Sequence, residues 1–315
     1  MIKTPVCSLA GIDYPIFQGG MAWISDAKLA AAVSNAGGLG IISAMNADAG
    51  YLRDQIEAAR KLTDKPFGVN IMLMSPFASE VARVVSDERI PVVTTGAGNP
   101  STYMENWLAS GVKVIPLVAS VAMAKLVARA GASAIIAEGC ESGGHVGDTS
   151  TMALVPQVCD ATELPVIAAG GIGDGRGIAA AFMLGAQGVQ LGTRFLVADE
   201  CSIHPIYKEK ILKATDISTI ATGKRLGHPV RSLKTPFSRE YMKAEYDSSI
   251  SDADLEALGA GALRLAAVDG DKEKGCFLAG QIAGLVRKTQ PAAEMIIELF
   301  MEAETILRSA SKWVT

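Results

Sequence analysis

PVIAAGGIGDGRGIAAAFMLGAQGVQLGTRF, residues 165–195, holds an apolar β-branched run, a glycine turn, an amphipathic alanine-rich segment, and a second apolar run ending in another glycine turn. By periodicity this is strand, helix, strand, the repeating unit of a parallel α/β fold. Working outward, the same alternation recurs upstream in PIFQG (15–19), LGIIS (39–43), FGVNI (67–71), VVTTG (92–96), KVIPLV (113–118) and AIIAEG (134–139). With PVIAAGG (165–171) and GVQLGT (188–193) these make eight strands in succession. Eight consecutive βα units predict an α/β fold of the closed (β/α)8 TIM-barrel type, with the catalytic face at the C-terminal ends of the strands. A doubly wound open sheet is the alternative.

The punctuation agrees. Asn99-Pro100 and Ser75-Pro76 each put a capping side chain before a proline suited to the first helical position, and Asp26 and Asp174 can cap two further helices. Gly37 and Gly185 fall where helices should stop. After about residue 198 the rhythm changes. The stretch 199–275, with KRLGHPVRSLK (224–234) and the acidic SDADLEAL (251–258), has no convincing strand and reads as a smaller, mostly helical insertion after the eighth strand. Residues 1–198 and 276–315 then form the barrel, with the amphipathic C-terminal segment supplying its last outer helices.

Composition narrows the function classes. A chain of 315 residues with 49% hydrophobic and 20% charged residues can bury one large core or two modest ones. A net charge of −4 gives no general attraction to nucleic acid or to an anionic membrane, so an anionic partner must meet a local basic patch. The five cysteines, Cys7, Cys140, Cys159, Cys201 and Cys276, are scattered, with no C-x-x-C pair and no histidine at zinc-ligand spacing. They read as reduced thiols rather than a metal site. MIKTPVCSLAGIDYP has no apolar run of signal-peptide length, and Lys125 and Arg129 interrupt the long apolar stretch around them. The expectation is a cytoplasmic protein that does not span a membrane.

Two glycine turns, AAGGIGDGRG (168–177) and QLGTRF (190–195), end the seventh and eighth predicted strands. In barrels those loops commonly hold a phosphate, because backbone N–H groups can face the anion without an intervening side chain. Gly170, Gly171, Gly192 and Thr193 are the candidate ligands. QGGM (18–21), Asn70, TGAG (95–98) and Glu138 lie at the same end and suit a flat polar ring; for Asn70 a neighbouring backbone would serve as well. His145, in EGCESGGHVG after the sixth strand, is the candidate proton-transfer group, and Gly143 and Gly144 leave it room to approach a substrate. Cys140 in the same loop has no adjacent base, which favours a packed thiol over a nucleophile. GHPVR (227–231) sets His228 and Arg231 beside Lys224, Arg225 and Lys234. This is either the basic patch for a pantetheine or nicotinamide phosphate or an acidic carrier, or a solvated charged loop.

These residues resemble the flavin-dependent enoyl-acyl-carrier-protein reductases, within the wider nitronate monooxygenase or 2-nitropropane dioxygenase superfamily. YPIFQGGMAW (14–23), NAGGLGII (35–42), IAEGCESGGHVG (136–147), PVIAAGGIGDGRG (165–177), GVQLGTRF (188–195) and AGQIAG (279–284) carry the likeness over nearly the whole chain. KPFGVNIMLMSPF (65–77), TTGAGNPSTYM (94–104) and GHPVR look like the reductase branch. The resemblance implies an FMN barrel in which NADH or NADPH reduces the flavin before an enoyl thioester on acyl carrier protein enters. It carries over flavin contacts to Gly20, Met21, Asn70, Glu138, Gly143, Gly144, Gly170, Gly171, Gly192, Thr193 and Gln281, and the family's functional histidine to His145. That histidine would either protonate the α-carbon or polarise the thioester carbonyl. His228 and Arg231 fall on the substrate or nicotinamide side. A homodimer and activation by a monovalent cation are further family expectations. A nitronate monooxygenase using oxygen is the alternative activity, and a barrel binding a phosphorylated metabolite without redox chemistry is the alternative class.

Overall fold

The computed structural model describes residues 2–45 and 47–313. Its strands run β1 Ile16–Gln18, β2 Gly40–Ser43, β3 Phe67–Met72, β4 Val92–Gly96, β5 Lys113–Val118, β6 Ile135–Glu138, β7 Gly144–His145, β8 Val166–Ala169, β9 Gly188–Leu191, β10 Thr219–Thr222 and β11 Val230–Leu233. Eight of them form one parallel sheet in the order β1-β9-β8-β6-β5-β4-β3-β2. They are the eight predicted from the sequence, and β1 meets β2 to close the ring. Gln18 N donates to Leu39 O at 3.0 Å and Leu39 N to Ile16 O at 2.9 Å. The fully buried Gln18 side chain adds Oε1 as acceptor for Ile41 N at 3.1 Å. Closure rules out the open sheet.

Burial follows the two faces of each strand. Phe17, Ile41, Val92, Ile115, Ile136 and Ile167 fill the barrel interior together with Val6 and Ala10 of the short helix Pro5–Ala10, which plugs the floor below the strand N-termini. The outward residues pack under the surrounding helices, with Leu29, Val127, Val158, Ile178 and Leu299 on one side and Ile56, Val81, Val85 and Trp107 on the other. Each such side chain contributes about 1.5–3 kcal/mol of transfer free energy. The outer ring ends in helix Ala292–Arg308, which lies on helix Gly175–Met183.

Asp26 caps its helix by accepting from Leu29 N at 2.9 Å, and Asp174 accepts from Arg176 N at 3.0 Å. Two expected starts are late. Ser75 Oγ accepts from Phe77 N and Asn99 Oδ1 from Ser101 N, local turns that delay the helices to Ala78 and Ser101. The segment after β9 is helical over Pro205–Leu212, Pro236–Glu245 and Asp252–Gly259, but it also holds β10 and β11 where no strand was expected. These four-residue strands are too short for alternation to be visible, and β11, which pairs antiparallel with neighbouring β10, is also fixed by the distant β7. Among the described residues no helix is long and apolar enough to cross a membrane.

Candidate active site

The barrel opens at the C-terminal ends of its strands into a cavity of about 1500 Å³, open mouth included. Every barrel strand contributes to its wall: Gly20 and Met21 beyond β1, Met45 beyond β2, Asn70 and Met72 from β3, Thr94 and Gly96 from β4, Leu117 from β5, and Glu138 from β6. The loops Glu141–His145, Ala169–Ile172 and Gln190–Thr193 complete it, with Gly280 and Ile282.

The turn after β8 has the geometry of an anion cradle. Gly170 and Gly171 have φ of +84° and +72°, a region L side chains rarely enter, and a Cβ on Gly170 would lie 2.7 Å from Gly139 O. Gly192 precedes the 3-10 turn Thr193–Val197, and Thr193 Oγ1 accepts from Gly280 N at 2.8 Å, which leaves its proton for a ligand. Glu141 stands near this cradle, but its carboxylate is taken up by the next helix: it accepts from Thr151 N and Thr151 Oγ1, each at 2.9 Å, at the start of Thr151–Ala161.

Across the cavity, Asn70 Oδ1 accepts from Thr94 Oγ1 at 3.0 Å, and no hydrogen bond among the described residues engages its NH2 group. Glu138 accepts from Ser142 Oγ at 2.9 Å. Burial pushes its carboxyl up to about 7, against the downward pull of that hydrogen bond. What exposure Glu138 retains is toward the cavity that it lines.

His145 is held by its backbone. It pairs with Val230 in the β7–β11 ladder, and Val146 N donates to Pro229 O at 3.0 Å. On the other side Gly143 lies so close to Ala279 that a Cβ would come within 2.6 Å of its carbonyl carbon, and Gln281 N donates to Glu141 O at 2.9 Å. Burial, and then the charge of His228, hold the imidazole below the usual histidine range. Burial, and then the charge of Glu141, push the Cys140 thiol up, so it gains no nucleophilic character.

The cavity thus brings together Gly20, Met21, Asn70, Glu138, Gly143, Gly144, His145, Gly170, Gly171, Gly192 and Thr193. It leaves out three expected residues. The Gln281 side chain is exposed outside the wall. Neither His228 nor Arg231 lines it. Arg231 donates to Cys140 O and Thr219 Oγ1, and Arg225 to the carbonyls of Asp247 and Ile250 while pairing with Asp252 at 2.8 Å, so both guanidinium groups expected in a basic patch are committed to neighbouring protein groups. Partly buried cations need such acceptors. The sequence reading missed Gln190, Glu141, Ser142 and Thr94 in the wall; Gln190 alone carried a signal, a polar residue inside an apolar strand. A second hollow, beside helix Pro205–Leu212, has no converging polar set: Lys213 pairs with Glu209 and Lys208 donates to Ala198 O.

The sequence pattern of the nitronate monooxygenase family matches residues 3–83 and 75–302. The fold superposes on FabK from Thermotoga maritima with a TM-score of 0.97 and 48% identity, covering 100% of both chains. A nitroalkane oxidase from Streptomyces ansochromogenes gives a TM-score of 0.86 at 30% identity, over 97% of this chain and 99% of that one. At 32% identity over 99% of both chains, the sequence is also similar to (3aS,4S,5R,7aS)-5-hydroxy-7a-methyl-1-oxo-octahydro-1H-indene-4-carboxyl-CoA dehydrogenase of Mycobacterium tuberculosis.

Proposed function

The chain belongs to the nitronate monooxygenase family, and from that premise we propose that it is an FMN-dependent enoyl-acyl-carrier-protein reductase using NADH or NADPH. The observation that carries this reading is the end-to-end 48% identity to FabK, against 30% to the nitroalkane oxidase.

The residues present suit FMN. The cradle of Gly170, Gly171, Gly192 and Thr193 would take the phosphate, and Gly20, Met21, Asn70 and Glu138 would border the ring. When bound, the flavin would supply the redox chemistry, relaying hydride from the nicotinamide to the β-carbon of a 2-enoyl thioester. The chain supplies position and polarity. Asn70, with its amide oxygen fixed by Thr94, presents N–H donors to the ring edge. Met45, Met72, Leu117 and Leu278 give the cavity apolar walls for the acyl chain. His145 faces the thioester, and its lowered pKa favours the neutral imidazole there. We therefore assign it the role of N–H donor to the thioester carbonyl, stabilising the negative charge that develops there. Residues 199–275 stand on the substrate side, since β11 of that segment carries the pairing that holds His145. The carrier protein is the expected substrate donor, and a homodimer the expected assembly.

The test is anaerobic stopped-flow absorbance of the FMN-loaded protein. Bleaching by NADH or NADPH, followed by reoxidation on adding crotonyl thioester, supports the reductase. A flavin that both nicotinamides leave oxidised but a nitronate reduces would replace it with a nitronate monooxygenase.

A further inference from the structure

Among the described residues, the cavity wall contains no lysine or arginine. A substrate reaching the cavity on a phosphate-bearing arm therefore finds no cation inside it. The rim has one. Arg264 directly follows the wall residue Leu263, and Trp23 stands between the wall residues Ala22 and Ile24. The Arg264 guanidinium carbon lies 6.0 Å from the centre of the Trp23 ring, so the pair joins two wall segments at the cavity's edge.

Both residues have features that packing alone does not require. Trp23 is 48% exposed and has φ of +63°, a conformation a bulky side chain adopts at a cost. Ala97, also in the wall, is at φ +52°. Arg264 leads into the π-helical turn Leu265–Asp269, an uncommon conformation frequent at functional sites. Its ion partner is Asp269 at 2.9 Å, and the side chains of this pair are 47% and 41% exposed. An exposed pair of this kind contributes at most about 1 kcal/mol, so a phosphate can displace the carboxylate. A guanidinium fork suits phosphate oxygens, and an exposed indole offers a face to the organic part beside them.

We propose that Trp23 and Arg264 form a rim platform for the phosphate of a substrate's long anionic arm, with the guanidinium on the phosphate and the indole against the adjoining apolar or aromatic part. The inference rests on the reductase reading, which requires two substrates of this chemistry. A phosphopantetheine thioester carries a phosphate at the end of its arm, and a nicotinamide dinucleotide carries a pyrophosphate.

Crotonyl-CoA and crotonyl N-acetylcysteamine thioester share a reacting end, and only the first bears phosphate. Arg264→Ala should raise the ratio of their KM values about five- to tenfold, with the loss in KM rather than kcat. Arg264→Lys should recover part of it as a point charge, and Trp23→Ala should raise KM while Trp23→Phe does so less. If the shift appears instead in the NADH or NADPH concentration that half-saturates anaerobic flavin bleaching, the phosphate is the dinucleotide's. Folded, flavin-loaded variants with neither quantity changed beyond about twofold would overturn the platform. Failure of the reductase reading looks different: the unaltered protein itself would be bleached by neither nicotinamide, or reoxidised by neither thioester, and the platform would fall with it.

Discussion

Arg231 donates to the carbonyl oxygen of Cys140 from both Nε, at 3.2 Å, and Nη2, at 3.0 Å, so the strand β11 is fastened to the loop that presents His145. A two-pronged bond of this geometry fixes direction as well as distance, which a lysine does not reproduce. Removing it frees one end of the loop while the β7–β11 pairing remains. Arg231→Ala should keep its flavin and lose about tenfold in kcat, roughly 1.4 kcal/mol, with KM for thioester within about twofold. Arg231→Lys should recover little. Steady-state kinetics decide: a raised KM at unchanged kcat would return Arg231 to the substrate side.

His145→Ala should retain FMN and still be bleached by nicotinamide, while thioester-driven reoxidation slows by about 10²–10⁴-fold. Unchanged turnover would remove His145 from the mechanism. The pH dependence separates its two candidate roles. Burial and the charge of His228 both favour the neutral ring, so an N–H donor keeps its working form as pH rises and the reoxidation rate should not fall with it. A proton-donating imidazolium would instead lose rate as pH rises through its lowered pKa. His228→Asn would then move that limb upward, because one lowering cause is gone.

How much was legible before the structure depended on the range of the interactions. The barrel strands were visible because Val, Ile and Gly patterns repeat locally, and the cradle of Gly170, Gly171, Gly192 and Thr193 because consecutive βα units deliver their turns to one end. The strands β10 and β11 were not, since β11 pairs with Gly144 and His145 across more than eighty residues of chain, β10 pairs only with β11, and TIAT and VRSL carry no periodicity. Arg231 was seen as a charge without its acceptor, and a backbone carbonyl on Cys140 has no sequence signature. Gln281 fell into the same gap: its neighbours Gly280 and Ile282 line the cavity while its own side chain turns out.

The two glycines of the cradle should fail in different ways. Gly170 has no space, since a Cβ would sit 2.7 Å from Gly139 O, so Gly170→Ala should lose about 2–3 kcal/mol of stability before ligand binding is considered. At Gly171 a Cβ would meet Glu141 at an ordinary 3.5 Å, and the added cost is that of a positive φ, about 1–2 kcal/mol. Gly171→Val should therefore be folded and largely colourless. Melting temperature and flavin per chain distinguish the two, and a fully loaded yellow Gly171→Val would contradict the phosphate site.

Glu138 makes stability depend on pH in the direction opposite to a salt-bridged carboxylate. Its carboxyl, ordinarily near 4.5, is raised to about 7 by burial. Between those values the folded chain keeps a proton that the unfolded chain has released, so the unfolding free energy falls as pH rises. The contribution is fully present below the unfolded value and is lost as pH rises through the folded one. The span corresponds to at most roughly 3 kcal/mol, reduced by whatever water the cavity admits. Glutamine keeps an acceptor for Ser142 and cannot titrate. The melting temperature of flavin-free protein should therefore drop between about pH 5 and pH 8 relative to flavin-free Glu138→Gln. Parallel curves would mean that Glu138 ionises in the fold as freely as in the unfolded chain, and its raised pKa would have to be abandoned.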